Sequence, residues 1–300
     1  DNLIFMGQDI ANYGGVFKAT DSFIERFGKD RVMNTPLCES AIVGTGVGLS
    51  VMGMKTMIEM QFSDFVSEAM TQICNQAAKL YYRWGQNVDM VIRMPTGAGV
   101  NAGPFHSQST ESWFTRIPGL KVVYPSNAYD AKGLLLQAFE DPNPVLFFEH
   151  KALYRSQDNE VPEGYYTIPF GKANLLAKGE QITIVSYGLG IRWVQDWMLK
   201  NPEVSVDLID LRTFVPLDSD TIIDSVKKTG RCVIVQEDTF RGSIGNDISQ
   251  IIQSKCFNYL DAPVKVAASI DTPIPFAAEL EKGYLANRYM DEILRKTLNF

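Results

Sequence analysis

Short apolar runs alternate with helix-length stretches from the start of the chain: LIFM, KTMIEM, VDMVIRM, LKVVYP and PVLFFEH are separated by VFKATDSFIERFG, DFVSEAMTQICNQAAKLYYRWG and NAYDAKGLLLQAFED. This alternation leaves few ways to fold. A strand that returns to the same sheet through a helix must cross over it, which makes the sheet mainly parallel and covers its faces with helices. The series ends near residue 150. Residues 151–180 lose the alternation, gather Gly, Pro and charge, and read as a linker with room for a small hairpin. A second series follows: ITIVSYG, IRWVQDWMLKN, VSVDLIDL, DTIIDSVKKTG, RCVIVQED and NDISQIIQSKCFNYL. Hydrophobic cores tend to split at about this chain length, so the expectation is an α/β chain of two domains, residues 1–180 and 181–300. Within the first, Phe65, Ala69, Ile73 and Ala77 recur at i, i+4, with Met70, Cys74 and Ala78 on adjoining rows, which predicts one long helix, apolar on most sides and deeply buried.

Composition removes several functions. The formal charge is -7 and no Lys/Arg-rich run occurs, so the footprint for nucleic acid or an anionic membrane surface is missing. Cys38, Cys74, Cys232 and Cys256 are widely spaced without a CxxC pair, which supports neither zinc nor a disulfide framework; buried, reduced thiols are expected. No run approaches the roughly 20 apolar residues of a membrane span and no leader opens the sequence, so the expected location is cytoplasmic. The chain starts Asp-Asn-Leu and runs at once into a strand, which suggests a fragment of a longer product.

Four places invite chemistry. GAGVNA, residues 97–102, fits a dinucleotide-binding turn, but GPFHSQST follows it where a helix should start, and Lys121 stands where an acidic ribose ligand belongs, so the match is discarded. His150 ends a strand and reads as solvated. His106 lies in a loop after a parallel strand, where α/β proteins place ligands; an exposed histidine and a working one both fit. Glu39 is a lone carboxylate at the mouth of the apolar run TPLCESAIVGTGVGLS. Complementing a helix dipole explains it most simply.

The stretches GGVFKATDSFIERFGKDRVMNTPLCESAIVGTGVGL, EMQFSDF, FHSQS and PGLKVVYPSNAYDAKGLL, continued by FFEHKALYR, IDLRTFVPLD and DTPIPFAAELE, resemble in order the beta subunits of thiamine-diphosphate-dependent 2-oxo acid dehydrogenases. The resemblance covers nearly the whole chain. It implies a pyrimidine-binding domain followed by a transketolase-type C-terminal domain, an alpha2beta2 assembly with a second beta copy, and thiamine diphosphate held between subunits. The reaction implied is oxidative decarboxylation of a 2-oxo acid with acyl transfer to the lipoyl group of an acyltransferase partner. HSQS followed by ESWF leans toward 2-oxoisovalerate, with pyruvate and acetoin close by.

The same resemblance gives Glu39 a task, hydrogen bonding N1' of the aminopyrimidine so that the ring can remove the thiazolium C2 proton; an apolar setting strengthens such a bond. Phe65 matches the aromatic that packs on the pyrimidine, Gln61 a neighbouring pocket position, and His106 a histidine at the reacting end of the cofactor. Two departures stand out. Gln8 occupies the place of an acid in the usual G-E-D-V, and the helix that normally precedes LIFMG is not in this sequence, as in the C-terminal half of a fused alpha-beta chain. The GDG-x-N type segment that holds magnesium and diphosphate belongs to the alpha part, and no GDG occurs here. The rival expectation is a catalytically silent subunit that keeps the interfaces and lost the chemistry. A sugar-phosphate transketolase ranks below it.

Overall fold

The computed structural model describes residues 2–156 and 160–300; residues 157–159 of the expected linker lie outside the described residues. The strands are β1 (Leu3–Gly7), β2 (Val32–Asn34), β3 (Lys55–Glu59), β4 (Met90–Thr96), β5 (Lys121–Val123), β6 (Val145–His150), β7 (Asn174–Ala177), β8 (Ile182–Ser186), β9 (Val206–Asp210), β10 (Thr213–Val215), β11 (Cys232–Thr239) and β12 (Lys265–Ser269). Among the described residues they form a seven-stranded sheet ordered β10-β5-β6-β4-β3-β1-β2 and a five-stranded sheet ordered β12-β11-β8-β9-β7. Pairing is parallel except at two edges, where β10 runs antiparallel to β5 and β7 to β9.

A parallel sheet is covered on both faces, so its central strands are apolar on both. β4 shows this. Met90, Ile92 and Met94 join the core on one face, with Ile42, Val43 and Val47 of helix α1 (Glu39–Val51). Val91 packs on the other, with Leu134 and Ala138 of α2 (Ala128–Glu140). Helix α2 starts where the Asn127 side chain accepts the Asp130 N–H at 2.8 Å, an N-cap that satisfies one orphan donor. In the second sheet, α3 (Leu189–Lys200), α6 (Ala278–Tyr284) and α7 (Asn287–Leu298) contribute Ile191, Tyr284 and Leu294 to one face. Helices α4 (Ser219–Thr229) and α5 (Ile244–Cys256) bring Ile222, Val226 and Ile248 to the other.

The halves interlock. Strand β10 of the second half closes the edge of the first sheet, and Tyr124 of the first packs on Tyr187 of the second with ring centroids 5.2 Å apart. Chain handover occurs inside the expected linker: Ile168 still packs with Val91 and Phe147, whereas β7, ahead of residue 180, already pairs with β9 of the second sheet. That strand has a distant partner, and among the described residues no local hairpin forms.

Other expectations need correction. The single helix from Asp64 is three pieces, a 3-10 turn at Ser63–Ala69, a π-helical turn at Gln72–Ala77 and a short α-helix at Leu80–Trp84. Ala69, Ile73 and Ala77 are buried, but Thr71, Asn75 and Gln76 face outward and Tyr82 is 95% exposed, so one face only is covered in this chain. Of VFKATDSFIERFG only Phe23–Phe27 is helical. All four cysteines are free thiols; Cys232 and Cys256 are buried as expected, whereas Cys38 is exposed and Cys74 half-buried.

One polar cluster sits within the first sheet. Arg93 of β4 bonds Glu149 of β6 through Nε and Nη2, each at 2.6 Å, and bonds Glu59 of β3 through Nη1. Burial pushes the Glu59 carboxyl up, against the pull of Arg93. Removing one partner of a buried ion pair strands the other charge, at about 3–5 kcal/mol. We expect Arg93→Met to lose about that much stability in urea unfolding at pH 7. The stranded carboxylates would bind protons more tightly folded than unfolded, so the loss should shrink as pH falls toward 5; a loss that grew on acidification would contradict this account.

Candidate functional site

The residues singled out in the sequence follow neighbouring strands of one parallel sheet. Gln8 comes directly after β1, Glu39 opens α1 after β2, Gln61 and Phe65 follow β3, and His106 follows β4. Since β4, β3, β1 and β2 are adjacent, all these segments leave at the carboxyl edge, where open α/β sheets bind ligands.

Glu39 is the first residue of α1 and 6% exposed. Its position fits the helix dipole, but the dipole needs no burial. Gln8 Nε2 donates to Glu39 Oε1 at 3.0 Å, and Gln8 Oε1 is buried without a partner. One carboxylate oxygen is thus fixed by an amide, beside an unused acceptor. Next to this pair, Gln61 Nε2 donates to Asp9 Oδ2 at 3.0 Å, and Asp9 holds a left-handed φ of 57°. The peptide after Gln61 supplies aromatic rings: Phe62 meets the His106 ring edge-on at 4.8 Å, Phe65 meets it at 5.4 Å, and Phe62 and Phe65 are 5.8 Å apart. Phe65 and His106 are both half-buried. The structure therefore joins His106 to Phe65 directly, and joins Glu39 to Gln61 through Gln8 and Asp9.

The far side of the His106 loop is tied to the same sheet. Asp64 Oδ1 accepts both the backbone N–H and the side-chain amide of Gln108 at 3.0 Å, and Thr96 donates to the Gln108 carbonyl at 2.9 Å. Asp64 Oδ2, Ser107 Oγ and the Lys151 ammonium are buried with no protein partner. Lys151 lies over the Phe62 ring at 5.6 Å, and burial pushes its amine down to about 8 against the pull of Asp64, Glu237 and Glu281.

His150 is not solvated. It is 2% exposed and its Nε2 lies 2.6 Å from Glu237 Oε2, a pair between the two halves of the chain. Sequence position put it at a strand end; the partner stands 87 residues away and no local pattern announces it. Phe62 was passed over too, although EMQFSDF places two aromatic residues three apart, a spacing that brings both to one side of a helical turn. A cavity of about 830 Å³, lined by Leu3, Phe5, Phe23, Met57, Leu135 and Phe139, opens on the face carrying Phe5 and Met57, while α1 packs on the opposite face with Ile4, Met6 and Ile58. It is not the Glu39 site.

Residues 1–157 match the transketolase pyrimidine binding domain and residues 171–288 the transketolase C-terminal domain. The chain is 45% identical over 293 residues to 2-oxoisovalerate dehydrogenase subunit beta of Bacillus subtilis, across 96% of this chain and 90% of that protein. The chain belongs to the beta subunits of the thiamine-dependent 2-oxo acid dehydrogenases. Similar relatives include 2-oxoisovalerate dehydrogenase subunit beta 2, mitochondrial, of Arabidopsis thaliana, at 43% identity over 98% of this chain and 83% of that protein. Pyruvate dehydrogenase E1 component subunit beta of Rickettsia bellii is 40% identical over 96% and 90%. Among solved structures, a split gene transketolase in an inactive beta4 tetramer superposes with a TM-score of 0.79 at 22% identity, covering 99% of this chain and 92% of that one, which shows the shared fold.

In this beta subunit the Gln8 amide is the only protein donor given to Glu39 among the described residues. Gln8→Glu would set two buried carboxylates within contact, and like charges so close cannot both stay ionised. The variant should lose stability progressively from pH 5 to pH 8 relative to the parent, because the folded state alone must hold the extra proton. Thermal unfolding across that range checks it, and a constant difference would show that the pair is hydrated.

Proposed function

We propose that this chain is the beta part of a dehydrogenase acting on 2-oxoisovalerate, with Glu39 and His106 in the reaction and Glu39, Gln61 and Phe65 against thiamine diphosphate. The observation that carries the reading is the buried Glu39 carboxylate with one oxygen held by Gln8, at the edge of the sheet where Gln61, Phe65 and His106 also emerge. Those residues fit an aminopyrimidine: a carboxylate to share a proton with a ring nitrogen, an orphan amide oxygen beside it, and aromatic faces close by. When bound, thiamine diphosphate supplies the carbon that adds to the 2-oxo group and takes up the charge left by carbon dioxide. Glu39 holds a proton at N1' and orients the ring. Phe62 and Phe65 exclude water from the site and support the His106 imidazole, which hydrogen-bonds the reacting end and serves acyl transfer to the lipoyl group.

Magnesium and the diphosphate belong to the alpha part, separate or fused, because no GDG segment occurs in these residues. The assembly is alpha2beta2, engaging a lipoyl acyltransferase, and the location is the cytoplasm. No helix among the described residues is long and apolar enough to cross a membrane. We take the first domain to be the one that ends in the linker before residue 180. Pyruvate is the competing substrate, supported by the Rickettsia relative. A silent subunit is favoured by Gln8 alone.

Glu39→Gln in the complete alpha-beta assembly, with thiamine diphosphate and magnesium, should keep the fold and lower turnover by about 10²–10⁴, the usual share of a positioned proton-transfer group. Unchanged turnover would make this the silent subunit. Parallel assays of the parent assembly on 2-oxoisovalerate and pyruvate with an artificial electron acceptor decide the substrate: faster turnover of the branched acid supports the proposal, and faster turnover of pyruvate overturns the choice.

A further inference from the structure

The segment discarded above as a dinucleotide turn does bind anions, and they come from the other domain. Gly97, Gly99, Asn101 and Gly103 all have left-handed φ, at 91°, 83°, 56° and 70°. Backbone of this kind turns successive N–H groups to one side and makes an anion-binding concavity. Glu281 of α6 fills it, accepting the Gly99 N–H at 3.1 Å through Oε1 and the Asn101 N–H at 3.1 Å through Oε2. Glu237 of β11 accepts the Ala98 N–H at 2.5 Å through the oxygen not used by His150. Both carboxylates are nearly out of solvent, at 3% and 4% exposure. Phe276 completes the clamp, since a Cβ added at Gly103 would lie 2.3 Å from its ring. The next three residues lead through a 3-10 turn, Gly103–Phe105, into His106.

The loop therefore has two anchors. Asp64 and Thr96 hold its C-terminal side from the first domain, and Glu281 holds its N-terminal side from the second. Left-handed backbone is uncommon at a non-glycine residue such as Asn101 and is enforced there by its surroundings. Charge-assisted bonds to a buried carboxylate supply that enforcement.

We propose that Glu281 is a positioning residue: from the C-terminal domain it holds residues 97–103 in the one conformation that presents His106 to the substrate. The proposal rests on the reading of His106 as a residue of the reaction. It acts through the loop and makes no contact with the reacting groups.

The test uses the alpha-beta assembly carrying Glu281→Gln, Glu281→Asp, His106→Ala and the double variant Glu281→Gln/His106→Ala, with thiamine diphosphate and magnesium. Glu281→Gln should lower kcat for lipoyl acylation about tenfold to a hundredfold, the scale of a misplaced catalytic group, and should speed hydrogen exchange at the Gly99–Asn101 amides. Glu281→Asp, which keeps the charge, should recover part of both. In the His106→Ala background, Glu281→Gln should cost nothing further in kcat. Equal losses in both backgrounds would overturn the positioning role while leaving His106 in place, as would unchanged kcat and exchange in Glu281→Gln. If His106→Ala alone left turnover intact, the reading of His106 would fall and the role of Glu281 with it.

Discussion

Register between parallel strands is the constraint on which the site depends. Gly7 of β1 pairs with Glu59 of β3 and with Asn34 of β2, and Glu59 in turn pairs with Arg93 of β4. Chain segments more than thirty residues apart in sequence therefore leave the sheet at one edge, which is why Gln8 can reach Glu39 and Gln61 can reach Asp9. A slip of one residue would turn each strand's side chains to the opposite face. It would send Ile4 and Met6 away from α1 and put Phe5 in their place, so the hydrophobic pattern and the site geometry are enforced together. The Arg93 cluster reinforces the same register, because its guanidinium spans three strands and meets Glu59 and Glu149 only in this alignment.

Period and motif made much of this legible. The alternating series gave the parallel sheets, and the ordered blocks from GGVFKA to DTPIPF carried the family. Local strength of pattern was misleading where packing is one-sided. Phe65, Ala69, Ile73 and Ala77 read as a single buried helix, yet the segment breaks into 3-10, π and α turns. Phe62, overlooked in sequence, lies closer to His106 than Phe65 does. Charge pairs were the least visible. Nothing near His150 signals Glu237, and nothing near GAGVNA signals Glu281, because those partners lie across a domain boundary and charge complementarity at a distance leaves no period in the chain.

The domain boundary is where the electrostatics are most sharply divided. Burial pushes the Glu237 carboxyl up, but His150, the Ala98 N–H and Lys151 together bring it below the usual range, so it stays an anion. Close by, burial and the neighbouring Asp238 charge drive Glu111 well above that range, with Tyr187 donating to its Oε1 at 2.8 Å. Asp238 itself is raised by burial to about 6, against the pull of Ser112. Acids in one region thus differ by what they face: Glu237 lies against an N–H group and cations, whereas Glu111 lies against Asp238. Glu237 and Glu281 accept the N–H groups of the 97–103 segment, while Asp238 accepts the Ser112 hydroxyl inside the interface. The surface between the domains thereby does two jobs with one residue type, fastening the His106 loop through Glu237 and Glu281 and joining the two halves through Glu111, which accepts from Tyr187. The position of the second domain is in this way written into the shape of a loop in the first.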